Sequence, residues 1–483
     1  MKKLMAAAIV TLFVSAATSW ALVGLEDVSF DGSLEVSGAS LKNAADQQDS
    51  IHDRAGGVNT RVFVGINAQV TEGVTGRVEF SRTGEQYGHT RGASNDGTNA
   101  NNVDTELNII SVQNAFIKIA DVAFGVGAIL GRQYVGKPGD LVWNISPSDN
   151  DVLSVAAIDG LTLMRDWENV KSNLFIGKAI EDDTQTGTNI GDAAPGDVNL
   201  NSLDLEFPTI VPNGNVNIGY LWGVAENTGI SGDANKLTTF RVGINGNIQE
   251  NRFTYRAEYF QNGGEDKGTN LPGGGVNKVS YGGNAIDLGV GYNSPETEAG
   301  LFNVRAGILM ASGDDNATDG DDDAFHDFAI LTGAMNTGTS DRFMGEIFGK
   351  SSVFSSQAAG FPVAGGSAGV ETGAQGVGME VINIGVTYTP PILENKLSAA
   401  LDYWIFDTSE SGDNSAAPKA DEIGDEIDLV LTYAQSESVG IDLGLAMFSP
   451  GNGVVGTATS PAPEDDDIIK IFTRAKVKWG GEE

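Results

Sequence analysis

Apolar and polar residues alternate with a period of two from one end of the chain to the other. Phe30, Leu34 and Val36 are interleaved with Asp31, Ser33, Glu35 and Ser37; Phe253, Tyr255, Ala257 and Tyr259 with Arg252, Thr254, Arg256 and Glu258; Phe302, Val304, Ala306 and Ile308 with Asn303, Arg305 and Gly307. Successive side chains of a β-strand point to opposite faces, so each run predicts a strand with one apolar and one polar face. The pattern predicts eighteen strands, near 28–40, 59–70, 74–83, 107–119, 122–134, 158–166, 170–178, 198–207, 216–224, 237–246, 252–261, 284–292, 300–311, 379–388, 396–406, 425–433, 439–448 and 467–479.

The connections alternate between short and long. Thr71-Glu72-Gly73, Ala120-Asp121, Trp167-Glu168-Asn169, 247–251, 293–299, 389–395 and 434–438 are short, whereas 41–58, 84–106, 135–157, 179–197, 262–283, 312–378, 407–424 and 449–466 are long. Short periplasmic turns and long external loops are the signature of an all-β, transmembrane, antiparallel up-and-down β-barrel. An even strand number puts both chain ends on one side. A soluble sandwich or an adhesin would share the alternation. Three features favour the membrane: segments of mostly 9–13 residues, the length a tilted spanning strand needs; strand-end aromatics such as Tyr134, Tyr220, Trp222, Tyr259, Tyr292, Tyr388, Tyr403, Trp404, Tyr433 and Trp479; and ionised groups in mid-strand, which suit a wet lumen better than a dry core. Eighteen strands exceed the roughly eight whose side chains can fill a barrel, so an aqueous interior is expected.

The chain opens on Lys2 and Lys3, an apolar stretch from Leu4 to Ala17, and Ser19-Trp20-Ala21, the layout of a secretory signal peptide over 1–21 that leaves 22–483 as the barrel. The expected location is a Gram-negative-type outer membrane, with its lipid as partner. Cysteine is absent, which removes disulfides and thiolate metal sites. A formal charge of −36 argues against a nucleic-acid partner.

The candidate chemistry lies on the polar faces. Arg61, Arg77, Glu79, Arg241, Arg252, Arg256, Glu258, Arg305, Asp402, Asp428 and Arg474 are the expected pore-lining residues, and the mixture of signs would set a transverse field and an ion preference. Guanidinium forks can hold carboxylates or phosphates of passing solutes, or can brace the wall by pairing with its acids. The segment 312–378 is too long for a plain connection and is expected to constrict the lumen or cover its mouth as a lid. Within it, Asp314, Asp315, Asp319 and Asp321 could hold a loosely bound Ca²⁺, although the EF-hand register from Asp315 fails at Ala317 and His326; a solvated loop is the alternative. No other cofactor is implied. Gly365-Gly366-Ser367-Ala368-Gly369 matches a nucleophile motif but lacks the strand and helix that motif needs, and His52, His89 and His326 are widely separated, so no enzyme is indicated.

Three stretches carry a family likeness: Gly131-Arg132-Gln133 before a loop holding Gly139-Asp140; Ser312-Gly313-Asp314-Asp315 leading to Phe325; and Gly424-Asp425-Glu426-Ile427-Asp428-Leu429 followed by Phe448-Ser449-Pro450-Gly451. In these the chain resembles the outer-membrane porins related to the alginate-export family. The resemblance implies an eighteen-stranded channel for passive diffusion of small hydrophilic solutes, including anions or sugars. A homo-oligomer follows by analogy with porins alone. The chain departs from the family in its mixed rather than strongly cationic polar face, and in the Gly480-Gly481-Glu482-Glu483 that follows Trp479. The rival reading is a structural or surface-interaction protein of the outer membrane, working through its acidic external loops.

Overall fold

A computed structural model describes residues 27–43, 54–86, 110–136, 139–147, 157–180, 197–225, 235–249, 252–267, 270–271, 275–276, 278–314, 320–328, 331, 343–348, 378–409, 422–451 and 466–480. The expected leader over 1–21 and the Ser367 motif lie outside them. Eighteen long strands make one antiparallel sheet: β1 (Asp27–Lys42), β2 (Arg54–Thr71), β3 (Val74–Gln86), β4 (Ser111–Ala123), β5 (Val126–Gln133), β6 (Ile158–Asp166), β7 (Lys171–Ile180), β8 (Val198–Val211), β9 (Gly214–Ala225), β10 (Asn235–Ile248), β11 (Phe253–Asp266), β12 (Asn284–Asn293), β13 (Leu301–Ala311), β14 (Met379–Thr389), β15 (Leu397–Asp407), β16 (Glu422–Ser436), β17 (Val439–Pro450) and β18 (Ile468–Trp479). Each pairs with its sequence neighbours, and β1 pairs with β18 from Gly32↔Trp479 to Lys42↔Ile469, which closes the barrel.

The outer surface follows from the apolar parity. Leu401, Leu429, Leu445 and Ile471 form one cross-strand row over β15–β18, and all four are exposed. The opposite parity at the same level carries Asp402, Asp428, Ala446 and Lys470, all buried inside. An apolar exterior around a polar interior inverts the soluble pattern, and only a lipid surround makes it favourable. Aromatic pairs flank the belt: Phe253 with Tyr292 (5.0 Å) and Phe302 with Tyr388 (4.7 Å) towards the turn end, and Tyr220 with Trp222 (5.8 Å) towards the loop end. A closed barrel of this kind spans a bacterial outer membrane.

Five expectations need correction, the first being Tyr134, an expected interface aromatic whose hydroxyl instead reaches Glu79 on the inner wall. The turn expected at Ala120-Asp121 falls at Phe124-Gly125, where both residues have positive φ (56° and 76°) and the Gly125 N–H donates to Asp121 Oδ1 at 3.0 Å; glycine tolerates that backbone without strain. The strand expected at 107–119 is correspondingly displaced to Ser111–Ala123. Trp404 is not an interface aromatic: it is buried within the barrel and donates Nε1–H to Asp428 Oδ2 at 3.1 Å. Arg252 is exposed in the tight turn between β10 and β11, outside the strand wall, where its N–H donates to the Gln249 carbonyl.

The loop end of the interior is packed. Three loop segments, 139–147, 320–328 and 343–348, lie against apolar residues of the inner wall. Trp143 meets Phe175 (5.9 Å) and Phe328 (6.0 Å), Phe325 meets Phe260 (6.1 Å), and Phe348 stacks on Phe406 (4.2 Å). Irregular backbone is tolerated at this depth because it is enclosed by protein.

Replacing Leu429, at mid-height on the outer face, by Arg should destabilise the barrel by about 2–4 kcal/mol. The check is the equilibrium between denaturant-unfolded and bilayer-inserted protein; an unchanged midpoint would contradict a lipid-facing Leu429.

Candidate functional site

Below the apolar tier the inner wall is ionic, and each pair follows from strand register. Glu35 and Arg61 are direct cross-strand partners and bind through their side chains, with Lys476 adding a second cation at 2.8 Å from Glu35. Arg77 forks between Asp31 (2.6 Å) and Glu79 (2.5 Å). Glu79 also accepts the Tyr134 hydroxyl at 2.6 Å. Burial first, and then that carboxylate, push the Tyr134 phenol well above its ordinary pKa, so it stays a donor. Arg256 binds Asp287 at 3.0 Å, and Arg305 engages both oxygens of Asp402, with Nε 3.0 Å from Oδ1. Each guanidinium is thereby given over to a wall carboxylate.

Two further pairs tie the inward loops to the wall. Arg241, on β10, holds Asp140 of the first loop segment and Asp204 of β8. Glu346, on the third, binds Arg474 at 2.5 Å, with Lys470 Nζ 3.8 Å away. The converse contact lies beside it. The buried Glu426 carboxylate accepts the backbone N–H groups of Glu346 (2.6 Å), Ile347 (2.7 Å) and Phe348 (2.9 Å). Gly345 makes this approach possible: its φ is +89°, and a Cβ there would sit 2.7 Å from the Glu426 carboxylate.

Of the sequence-derived residues, Arg61, Arg77, Glu79, Arg241, Arg256, Glu258, Arg305, Asp402, Asp428 and Arg474 are all on the interior parity of the strands, whereas Arg252 lies in the turn before β11. Asp140, Glu346 and Glu426 were missed. Glu426 shares the parity of Asp428 and was legible from the alternation; the two loop acids carry no periodic signal. Of the calcium candidates, Asp315 and Asp319 lie outside the described residues, Asp314 is buried and Asp321 exposed. Among the described residues no three His, Asp or Glu side chains converge as metal ligands.

Towards the turn end the lumen is open. One cavity of about 570 Å³ is bounded by Asp140, Asp204, Arg241 and Glu258, and a second of about 710 Å³ by Asn215, Asn303, Arg305 and Asp402. They share Asn245 and Arg256 in their walls, so the two cavities adjoin. Glu258 faces this space with no hydrogen-bond or ion-pair partner among the described residues.

Arg241→Ala would leave Asp140 and Asp204 without their cation, and removing one partner of a buried pair costs about 3–5 kcal/mol. Unfolding midpoints in denaturant should show the loss, whereas Arg252→Ala, in the turn, should stay within about 0.5 kcal/mol of the parent.

No family model matches the chain, and no curated protein matches its sequence. Among solved structures the fold is similar to OccK11 (OpdR) of Pseudomonas aeruginosa, at a TM-score of 0.51 and 11% identity over 95% of this chain and 99% of that one. It is similar to OpdQ of the same organism (TM-score 0.52, 10% identity, 95% and 99%) and to OccAB1 of Acinetobacter baumannii (0.52, 12%, 94% and 97%). At these identities the likeness is one of fold, and the chain shares with these proteins a closed, eighteen-stranded antiparallel outer-membrane barrel.

Proposed function

We propose that this barrel is an outer-membrane channel for passive diffusion of small hydrophilic solutes, with a preference for cations and neutral molecules over anions. The observation that carries the reading is the state of the wall charges. Arg61, Arg77, Arg241, Arg256, Arg305 and Arg474 are all bound to wall or loop carboxylates, whereas Glu258 faces the passage unpaired. An anion would have to displace a wall acid to reach a guanidinium fork. A cation can reach the Glu258 carboxylate without displacing a partner, and an acidic side chain in a pore wall favours cations. The anions allowed by the alginate-export resemblance therefore fit this wall poorly. The Asn- and Gly-lined stretch of the passage, with Asn215, Asn245, Asn303, Gly289 and Gly307, suits neutral hydroxylated solutes such as small sugars.

The rival reading, a structural or surface-interaction protein, draws on the apolar packing of the inward loops, which would serve a sealed interior equally well. The two are separated by purified protein in planar bilayers. A channel gives discrete conductance steps and, under a salt gradient, a reversal potential of the sign for cation preference. Steps no larger than detergent controls would favour the sealed interior, and anion preference would overturn the charge argument. Glu426→Ala removes the acceptor of three backbone donors and should loosen segment 343–348, giving larger and noisier single-channel currents than the parent.

A further inference from the structure

The outer face of β7–β10 departs from the plain aliphatic belt. A groove of about 410 Å³ runs there, bounded by Leu174, Leu203 and the stacked rings of Tyr220 and Trp222, with Lys236 at its loop end. One step beyond Trp222, a single cross-strand row sets Lys178 beside Asn199, then Val224, Lys236 and Glu265. Glu265 gathers two more cations, Lys267 at 3.1 Å and Lys278. Lys178 binds Asp197 at 2.8 Å. The same row continues past Lys178 to Asp159 and Arg132, which pair at 3.0 Å. Along this rim the described residues thus place four lysines and an arginine against three carboxylates, in a chain whose formal charge is −36. Lys236 is exposed and has no ion-pair partner among the described residues.

The arrangement reproduces the polarity of a lipid molecule. Cations stand at the loop end of the spanning strands, directly above an apolar groove that opens towards the bilayer interior. The geometry points to a docking surface for a phosphate-bearing lipid, its acyl chain along Leu174, Leu203 and the Tyr220–Trp222 stack, its phosphate on Lys236 with Lys267 and Lys278. A soluble protein partner would meet this groove only at membrane depth. A zwitterionic lipid would fill the apolar part but gain little from the lysine excess. A lysine close to an anionic lipid headgroup strengthens binding by about fivefold, and the attraction weakens as salt screens it.

The tryptophans give the test its probe. Trp143 and Trp404 are buried inside the barrel, and Trp167 and Trp479 stand at the turn end, so Trp222 reports the groove. The full-length barrel is placed in bilayers containing brominated-chain phosphatidic acid or brominated-chain phosphatidylcholine. Fluorescence quenching assigned to Trp222, as the difference from Trp222→Phe, is followed against the mole fraction of brominated lipid. Phosphatidic acid should half-quench at a mole fraction about fivefold lower than phosphatidylcholine. Lys236→Ala with Lys278→Ala should abolish that difference, with folding verified by the heat-dependent gel mobility of the barrel. The same loss of preference should appear for the parent protein at high salt, which needs no variant. Equal quenching by the two lipids, or a preference that survives both the lysine replacements and high salt, would overturn the proposal.

Discussion

The structure depends on one constraint: a backbone amide in hydrocarbon has no partner but another backbone. A sheet of seventeen hydrogen-bonded strand seams still has two edges, and in lipid each unsatisfied group costs several kcal/mol. The seam between β1 and β18, eleven residues long from Gly32↔Trp479 to Lys42↔Ile469, removes both edges at once. Trp479, the last residue of β18, is exposed on the outside of that seam at the turn end, where an amphipathic ring can sit at the membrane boundary. Closure then dictates the rest: one parity of every strand must be compatible with acyl chains, and the other is left to fill or hydrate an enclosed space.

That enclosed space is divided into two tiers, and the division follows from how charges and loops meet. Near the loop end the inner parity turns apolar, with Phe175, Leu221, Phe260, Phe406 and Phe448, and the inward loops cover it. Lower down the parity is ionic, and the loops are fixed to it by charge: Asp140 to Arg241, and Glu346 to Arg474. Ion pairs at a water-facing wall are worth little singly. Here each also satisfies a group that the packing above it has cut off from solvent, so its removal strands the partner, which is the larger effect. The loops are therefore held by pairs whose strength depends on the apolar tier, and the apolar tier is positioned by those pairs.

The strand framework was legible because a period of two is a local signal, and the inner positions of Arg77, Arg241, Arg305 and Asp402 followed from parity alone. What parity cannot say is which inner face is wet. Trp404 illustrates this: an aromatic towards a strand end reads as an interface anchor, yet its inward parity and the Asp428 acceptor make it part of the packed tier. The turn at Phe124-Gly125 was missed because the apolar residues on both sides hide the break, and Gly125 was the available clue. Asp140 and Glu346 lay beyond sequence reasoning for a different reason. They are separated from Arg241 by 101 residues and from Arg474 by 128, and sit in loops with no repeating pattern, so nothing local marks them as ion-pair partners.

Glu426 shows why a carboxylate, rather than a polar group in general, is required at such a junction. Three consecutive backbone N–H groups, from Glu346 to Phe348, converge on its two oxygens, which demands an acceptor with several lone pairs and no donor of its own. An amide side chain would turn an NH₂ group towards at least one of these donors. A positive residue would face three of them. The loop in turn needs Gly345, because the left-handed backbone that aims the three amides brings the chain too close for a side chain. The same carboxylate therefore satisfies the loop backbone and brings Glu346 to Arg474, so that one inner-wall acid of β16 fixes both the path of the loop and the charge it presents to the passage.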